Sequence, residues 1–198
     1  AAGDSQAKGF LNGATSGRTT LNGEGLQHQD GHSHLFSATI PNCLSYDPAY
    51  AYELAVIFQH GIQKMFVELE NYYYYITVTN ENYEQPAKPE GSDEGIIKGM
   101  YRLIENKDHQ VILLGSGSIL NESVKAVEIL SSVGIVAEVW SVTSFNMLRK
   151  DGIDKQRFNE LNPDLLSKVS YVEECLSNES IPVIASTDYM RAYPEQIR

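Results

Sequence analysis

The stretch from Gln110 to Val142 constrains the fold more than any other part of the chain: QVILLGSGS is followed by ILNESVKAVEILSSVG and then by IVAEVWSV. The outer pieces are short apolar runs, whereas the middle one carries Leu120, Val124, Val127 and Leu130 at helical spacing. Gly134 stands where that spacing ends, as a helix C-cap requires. A strand, a helix and a strand in succession form a crossover, and a crossover joins parallel strands. An α/β fold with a parallel sheet follows. Farther on, KVSYVEECLS reads as a helix and IPVIAS as another parallel strand.

The first half is organised differently. Residues 1–34 are glycine-rich, mixed with Ser, Thr and Asn and without a sustained apolar period, which predicts extended loop. LFSATIPNCLSYD holds one short strand. Asp47-Pro48 offers a helix cap and a proline at the first helical position. From there Ala51, Leu54, Ala55, Phe58, Ile62 and Met65 recur at steps of three and four, predicting a helix to about Phe66 with that face inward. YYYYITVT, Tyr72 to Thr79, is aromatic and β-branched and reads as a buried strand. YEQPAKPEGSDEG, residues 83–95, has little to bury and marks a linker.

With 198 residues, 42% of them apolar, the chain can bury a core in one large domain or two small ones. Its net charge of -11, from 15 basic and 26 acidic residues, opposes a phosphate backbone, so nucleic acid is excluded as a partner. No apolar run is long enough to cross a bilayer, and the start AAGDSQAKGF has no signal pattern, which argues against a membrane partner. Cys43 and Cys175 form no CxxC motif, and a reducing, cytoplasmic setting is expected. The absence of an initiator Met suggests a processed chain or a piece of a longer one.

The residues that could do chemistry concentrate in GEGLQHQDGHSH. His28, Asp30, His32 and His34 alternate, and on a strand they would share a face as metal ligands, although Gly31 weakens a strand and no strong zinc signature is present. A polar loop bonded to backbone carbonyls is a second reading. A substrate-contacting loop is the third: Gly23 and Gly25 allow close backbone approach, Glu24 is an acceptor and His28 a titratable donor. GSGS, Gly115 to Ser118, sits at a strand-to-helix turn that could hold an anion, but Leu120 occupies the place where a dinucleotide fingerprint needs glycine, so tight-turn geometry is favoured. Arg18 belongs to no P-loop. Tyr72 to Tyr75 suit a buried strand or subunit interface better than base stacking, given the acidic charge.

Together, GRTTLNGEGLQHQDGHSH, IPNCLSYDPAYAYELAVI, YYYYITVTNENY, LLGSGSIL, VWSVTSF and ASTDYM resemble, in matching order over nearly the whole chain, the homodimeric pyruvate dehydrogenases of bacteria, members of the transketolase-like superfamily. The resemblance implies the latter part of a pyrimidine-binding domain at residues 1–85, a linker at 86–95 and the opening part of a transketolase-like C-terminal domain at 96–198. It implies thiamine diphosphate and Mg²⁺ as cofactors, pyruvate as substrate, a homodimer, and the lipoyl acyltransferase core of the pyruvate dehydrogenase complex as partner. His28 matches the family's active-site histidine, and Glu24 the acidic residue beside it, which would tune that histidine toward its charged form. His32 and His34 are expected to structure the loop. No GDG motif with its later Asn is present, so the cofactor's main binding motifs are expected outside this chain, with no metal ligand within it. The alternatives are a transketolase, another 2-oxo acid dehydrogenase, or a non-catalytic α/β interface fragment.

Overall fold

The computed structural model describes residues 1–14, 16–21, 23–176 and 180–197. A three-stranded sheet is built from β1 (Phe10–Gly13), β2 (Cys43–Tyr46) and β3 (Tyr73–Thr77) in the order β1-β3-β2, with both pairings parallel. A four-stranded sheet contains β4 (Tyr101–Ile104), β5 (Val111–Gly115), β6 (Ala137–Ser141) and β7 (Val183–Ser186) in the order β4-β6-β5-β7. The expected parallel crossover is there, β5 and β6 joined by α4 (Leu120–Ser132), and β7 lies parallel on the other side of β5. Gly134 follows α4 with φ +78° and donates its N–H to the Ser131 carbonyl at 3.0 Å. The sheet is not parallel throughout, because β4 runs antiparallel to β6.

Two expectations for the first half need correction. Residues 1–34 are not all loop: β1 pairs with β3, and a short helix α1 (Ser33–Ser37) closes the segment. The helix after Asp47-Pro48 begins later, as α2 (Ala51–Ile62), with Tyr50 at the N-cap and the Glu53 carboxylate accepting the N–H groups of Ala49 and Tyr50 at 2.6 and 3.0 Å. Asp47 therefore caps nothing. The buried face of α2 carries Glu53, Ile57 and Gly61 and continues to Met65, while Ala51, Ala55 and Ile62 are exposed. Close approach explains the rotation: a Cβ on Gly61 would fall 2.6 Å from the Phe10 ring, so glycine lets the helix settle on β1 and β3. The helix then widens into a π-helical turn, Gln63–Val67.

Residues 78–89 carry no helix or strand, and the last three positions of the expected linker, 93–95, are already the first turn of α3 (Asp93–Lys98). Ile96 of α3 joins the core of the first sheet with Tyr46, Ile57, Met65, Tyr74 and Ile76. A 17-residue helix, α5 (Phe145–Leu161), was not foreshadowed by the apolar pattern; Ser144 caps it by accepting the Met147 N–H at 3.0 Å. Only Phe145, Asn146 and Leu148 of α5 are buried, too few to write a stripe. The helix in KVSYVEECLS is α6 (Tyr171–Leu176), and Ser177 at its expected end lies outside the described residues. No helix among the described residues is long and apolar enough to cross a membrane, and both cysteines are free thiols.

Candidate active site

Both sheets deliver the carboxyl ends of parallel strands to one place, the position where open α/β sheets hold ligands. Asp47 follows β2, Thr77 ends β3, Gly117 follows β5 and Asp188 follows β7. Hydrogen bonds join them. The Asp47 N–H donates to the Thr143 carbonyl at 2.7 Å, and the Gly117 N–H donates to the Asp47 carbonyl at 3.2 Å. Ser116 Oγ donates to Thr187 Oγ1 at 2.8 Å.

The GSGS turn is tight-turn geometry. Gly117 has φ +52°, and a Cβ there would lie 2.6 Å from Asp47 Oδ2, so only glycine fits both the backbone and the space. Ser118 Oγ donates to Asp188 Oδ2 at 3.3 Å. With the Gly117 N–H spent on the Asp47 carbonyl and the Asp188 carboxyl against Ser118, the turn is not built to cradle an anion.

Beneath lies a buried polar chain. Thr77 Oγ1 donates to Asp47 Oδ1 at 2.6 Å and contacts His34 Nε2 at 2.9 Å. A hydroxyl has one proton, so while it serves Asp47 it must accept from His34, which fixes the imidazole as the Nε2–H tautomer. His34 is completely buried, with its ring edge-on to Tyr189 at 4.8 Å and stacked on Tyr193 at 5.0 Å. Burial pushes its pKa down to about 3, with Asp30 opposing weakly. Burial likewise lifts Asp47 to about 7, against hydrogen bonds from Thr77 and Ser116 that lower it; Asp188 and Glu53 add to the rise. A second buried carboxylate, Glu53, is also raised by burial, although Ser141, Tyr101 and the Tyr50 and Ala49 N–H groups all donate to it.

The predicted residues of the histidine loop are not drawn together. Leu26–His28 form a 3₁₀ turn, so the alternation of a strand does not exist, and α1 turns His34 inward while His32 stays outside against the edge of Phe36 at 5.0 Å. His34 is thus the structuring histidine of the pair. Glu24 and His28 are exposed, and among the described residues neither side chain has a hydrogen-bond or ion-pair partner. The expected charge pairing between them is not formed in this arrangement. Asp30 instead organises the loop's exit: Oδ1 accepts the His32 and Ser33 N–H groups at 3.0 Å each, and Ser33 Oγ donates to Oδ2. Burial opposes ionisation of Asp30, but those bonds prevail and hold its carboxyl below the ordinary range. No three His, Cys, Asp or Glu side chains among the described residues converge to hold a metal ion.

Three functional candidates escaped sequence reading: Asp47, Thr77 and Asp188. Asp188 belongs to ASTDYM, a run that carried only the family resemblance, and Asp47 resembled a helix cap. Two cavities adjoin these elements, the first at the entry of the loop. One of about 620 Å³ passes Thr19 and Ser118 between Tyr50, Tyr83 and Asn121, and one of about 700 Å³ lies between α5 and residues 168–176.

Residues 1–86 match the pyruvate dehydrogenase E1 component middle domain, and residues 99–198 the transketolase-like TK C-terminal domain. The chain belongs to the transketolase-like family, in its pyruvate dehydrogenase E1 branch. It is 62% identical over 202 residues to the pyruvate dehydrogenase E1 component of Pseudomonas aeruginosa, a match covering 100% of this chain and 23% of that protein. The corresponding protein of Escherichia coli K12 is 57% identical over 202 residues, with 100% and 22% covered. The chain thus spans less than a quarter of the length of these curated relatives. A solved transketolase from Campylobacter jejuni superposes with a TM-score of 0.61 at 18% identity, covering 89% of this chain and 26% of that one; this likeness bears on the fold alone. The architecture is accordingly transketolase-like α/β. A diphosphate with Mg²⁺, implied by the resemblance, does not fit the residues described: the glycine-rich strand-to-helix turn faces two carboxyls, and no three His, Cys, Asp or Glu side chains converge to hold the ion.

Proposed function

We propose that this chain supplies the substrate-facing histidine loop of a thiamine diphosphate-dependent pyruvate dehydrogenase, which decarboxylates pyruvate oxidatively and passes the two-carbon unit to a lipoyl group. The observation that carries the reading is the exposed His28, without a side-chain partner among the described residues, on a glycine-flanked turn at the carboxyl ends of parallel strands, in a chain 62% identical to a protein named for that activity. Thiamine diphosphate, when bound with Mg²⁺ by residues outside this chain, supplies the electron sink for decarboxylation. His28 donates a hydrogen bond or a proton to the keto oxygen of pyruvate as negative charge develops there. Glu24, four residues earlier and equally exposed, is the acidic neighbour that the resemblance places beside this histidine.

Residues 1–85 are assigned to the latter part of a pyrimidine-binding domain and 96–198 to the opening part of the C-terminal domain, in keeping with the matched ranges 1–86 and 99–198. The assignment extends to a cytoplasmic homodimer that meets a lipoyl acyltransferase core. Its support is apolar surface at Leu26, Phe36, Phe66, Val67 and Leu69, all exposed in the single chain. Sedimentation of the intact protein as an active monomer would remove the dimer from the proposal. His28→Ala in the intact enzyme is expected to lower pyruvate turnover about 10²- to 10⁴-fold, the usual effect of losing a positioned acid–base group. Unchanged turnover would refute the role given to His28.

A further inference from the structure

The histidine loop is tied down at both ends by one turn of the other sheet. At its entry, Asp188 Oδ2 accepts the Thr19 N–H at 3.0 Å and Oδ1 accepts Thr19 Oγ1–H at 2.6 Å. The same carboxylate lies over Gly17, where φ is +88° and a Cβ would fall 2.7 Å from Oδ2. At the loop's exit, the Met190 N–H donates to the Gly31 carbonyl at 2.8 Å. Gly31 also lies under the Arg18 guanidinium: a Cβ would be 1.9 Å from one of its nitrogens and would require that side chain to move. Between these anchors, Glu24 and His28 have no side-chain partner among the described residues. Their positions follow from the backbone of the loop, and that backbone follows from where residues 188–190 hold its ends. The turn is itself fixed. Ser118 Oγ donates to Asp188, Thr187 Oγ1 accepts from Ser116 at 2.8 Å, and Tyr189 is wedged against His34.

We infer that Asp188 is a positioning residue for the reaction: through Thr19 it seats the loop so that His28 is presented to the substrate in one geometry. The inference rests on the role given to His28 above. Its chemistry is that of an acceptor, since all three of its hydrogen bonds come from donors, one of them a backbone N–H that cannot reverse. Asparagine keeps one acceptor for that N–H, and the two hydroxyls can rotate to meet its amide. Alanine frees Thr19 from the turn and leaves the entry held only farther back, where Ser16 bonds to the Val78 carbonyl. A misplacement on the order of 1 Å costs about 10²-fold in rate.

The test uses the intact enzyme, with thiamine diphosphate, Mg²⁺, pyruvate and a lipoyl domain present. Asp188→Ala and, independently, Thr19→Val, which removes the hydroxyl half of the anchor, keeps its N–H bond and leaves the charge unaltered, are each made alone and combined with His28→Ala. Kinetics are followed together with hydrogen exchange of residues 20–30. The expected result is faster exchange in the loop, kcat lowered about 10- to 100-fold with KM little changed, most of the rate restored by Asp188→Asn, and almost no further loss when His28 is already alanine. Thr19→Val serves if Asp188→Ala does not fold. Exchange left unchanged by both variants overturns the positioning role, as does a rate loss of equal size with and without His28. Faster exchange accompanied by a silent His28→Ala overturns the role of His28, and with it the catalytic consequence of the anchor, while upholding the anchor itself.

Discussion

Removing the charge from Asp47 should make the protein more stable above neutrality and not below about pH 4. In the folded protein this carboxyl is completely enclosed and its pKa is raised from 3.8 to about 7, burial being the main cause. A carboxyl that binds its proton more tightly when folded makes folding less favourable as pH rises from the unfolded pKa to the folded one. The interval is about three units, and each unit corresponds to about 1.4 kcal/mol, so ionised Asp47 costs up to about 4 kcal/mol relative to its protonated form. Asparagine reproduces the neutral group in shape and still accepts the Thr77 hydroxyl. Urea unfolding of wild type and Asp47→Asn between pH 4 and 8 is expected to show a difference in favour of the variant that grows across pH 4 to 7 and then levels. Growth of at least about 2 kcal/mol is expected, half the full figure, because a strained site relaxes when its carboxyl ionises. His34 has the opposite slope. Its folded pKa of about 3 lies below the ordinary 6.5, so it contributes stability above pH 6.5 that is lost as pH falls toward 3. In wild type the two slopes oppose each other between about pH 4 and 6.5, so the comparison must be variant against wild type at each pH. A difference independent of pH would refute the reasoning.

Gly117→Ala should destabilise by about 2 to 4 kcal/mol, since it joins a left-handed backbone to a clash with the Asp47 carboxyl, and a fall in the urea midpoint measures it. Glu53→Ala should cost about 3 to 5 kcal/mol, because it leaves the Tyr101 and Ser141 hydroxyls and two N–H groups without their acceptor. Glu53→Gln should cost clearly less, its amide oxygen serving the N–H pair while the hydroxyls turn to its nitrogen. Equal melting temperatures for the two Glu53 variants would show that the acceptors do not matter.

The crossover of the second sheet was legible because its pattern changes from unbroken apolar runs to a helical stripe and back, and its strand pairing and helix packing lie within one short stretch of sequence. β1 was not legible. It is an edge strand that joins β3 through its backbone, and Gly9, Asn12 and Gly13 erase the side-chain alternation that announces a strand. β4 was missed for a related reason: its antiparallel pairing with β6 is irregular between Arg102 and Ile104, and only Tyr101 is buried. Of the site, the histidine loop was found by its composition, yet its shape was not, because the loop's ends are set by Asp188 and Met190, far along the chain.

The same physics accounts for the misplaced face of α2. An apolar template prefers Ala51, Ala55 and Ile62, but the helix turns inward a Glu and a Gly instead. Gly61 is inward because contact with Phe10 and Tyr74 leaves no space for a side chain. Glu53 is inward because its acceptors are used by Ser141, 88 positions away, by Tyr101, 48 away, and by the first amides of its own helix. Periodicity measures contacts three or four residues apart, so it cannot see a polar group whose burial is compensated from another sheet. Asp47 and His34 follow the same rule through Thr77, at separations of 30 and 43. One trace of this remains in the sequence itself: an acidic residue at the third position of a helix is placed both to close the helix end and to be enclosed. Such a residue announces that partners exist; only the fold, by bringing Tyr101 and Ser141 against it, says which they are.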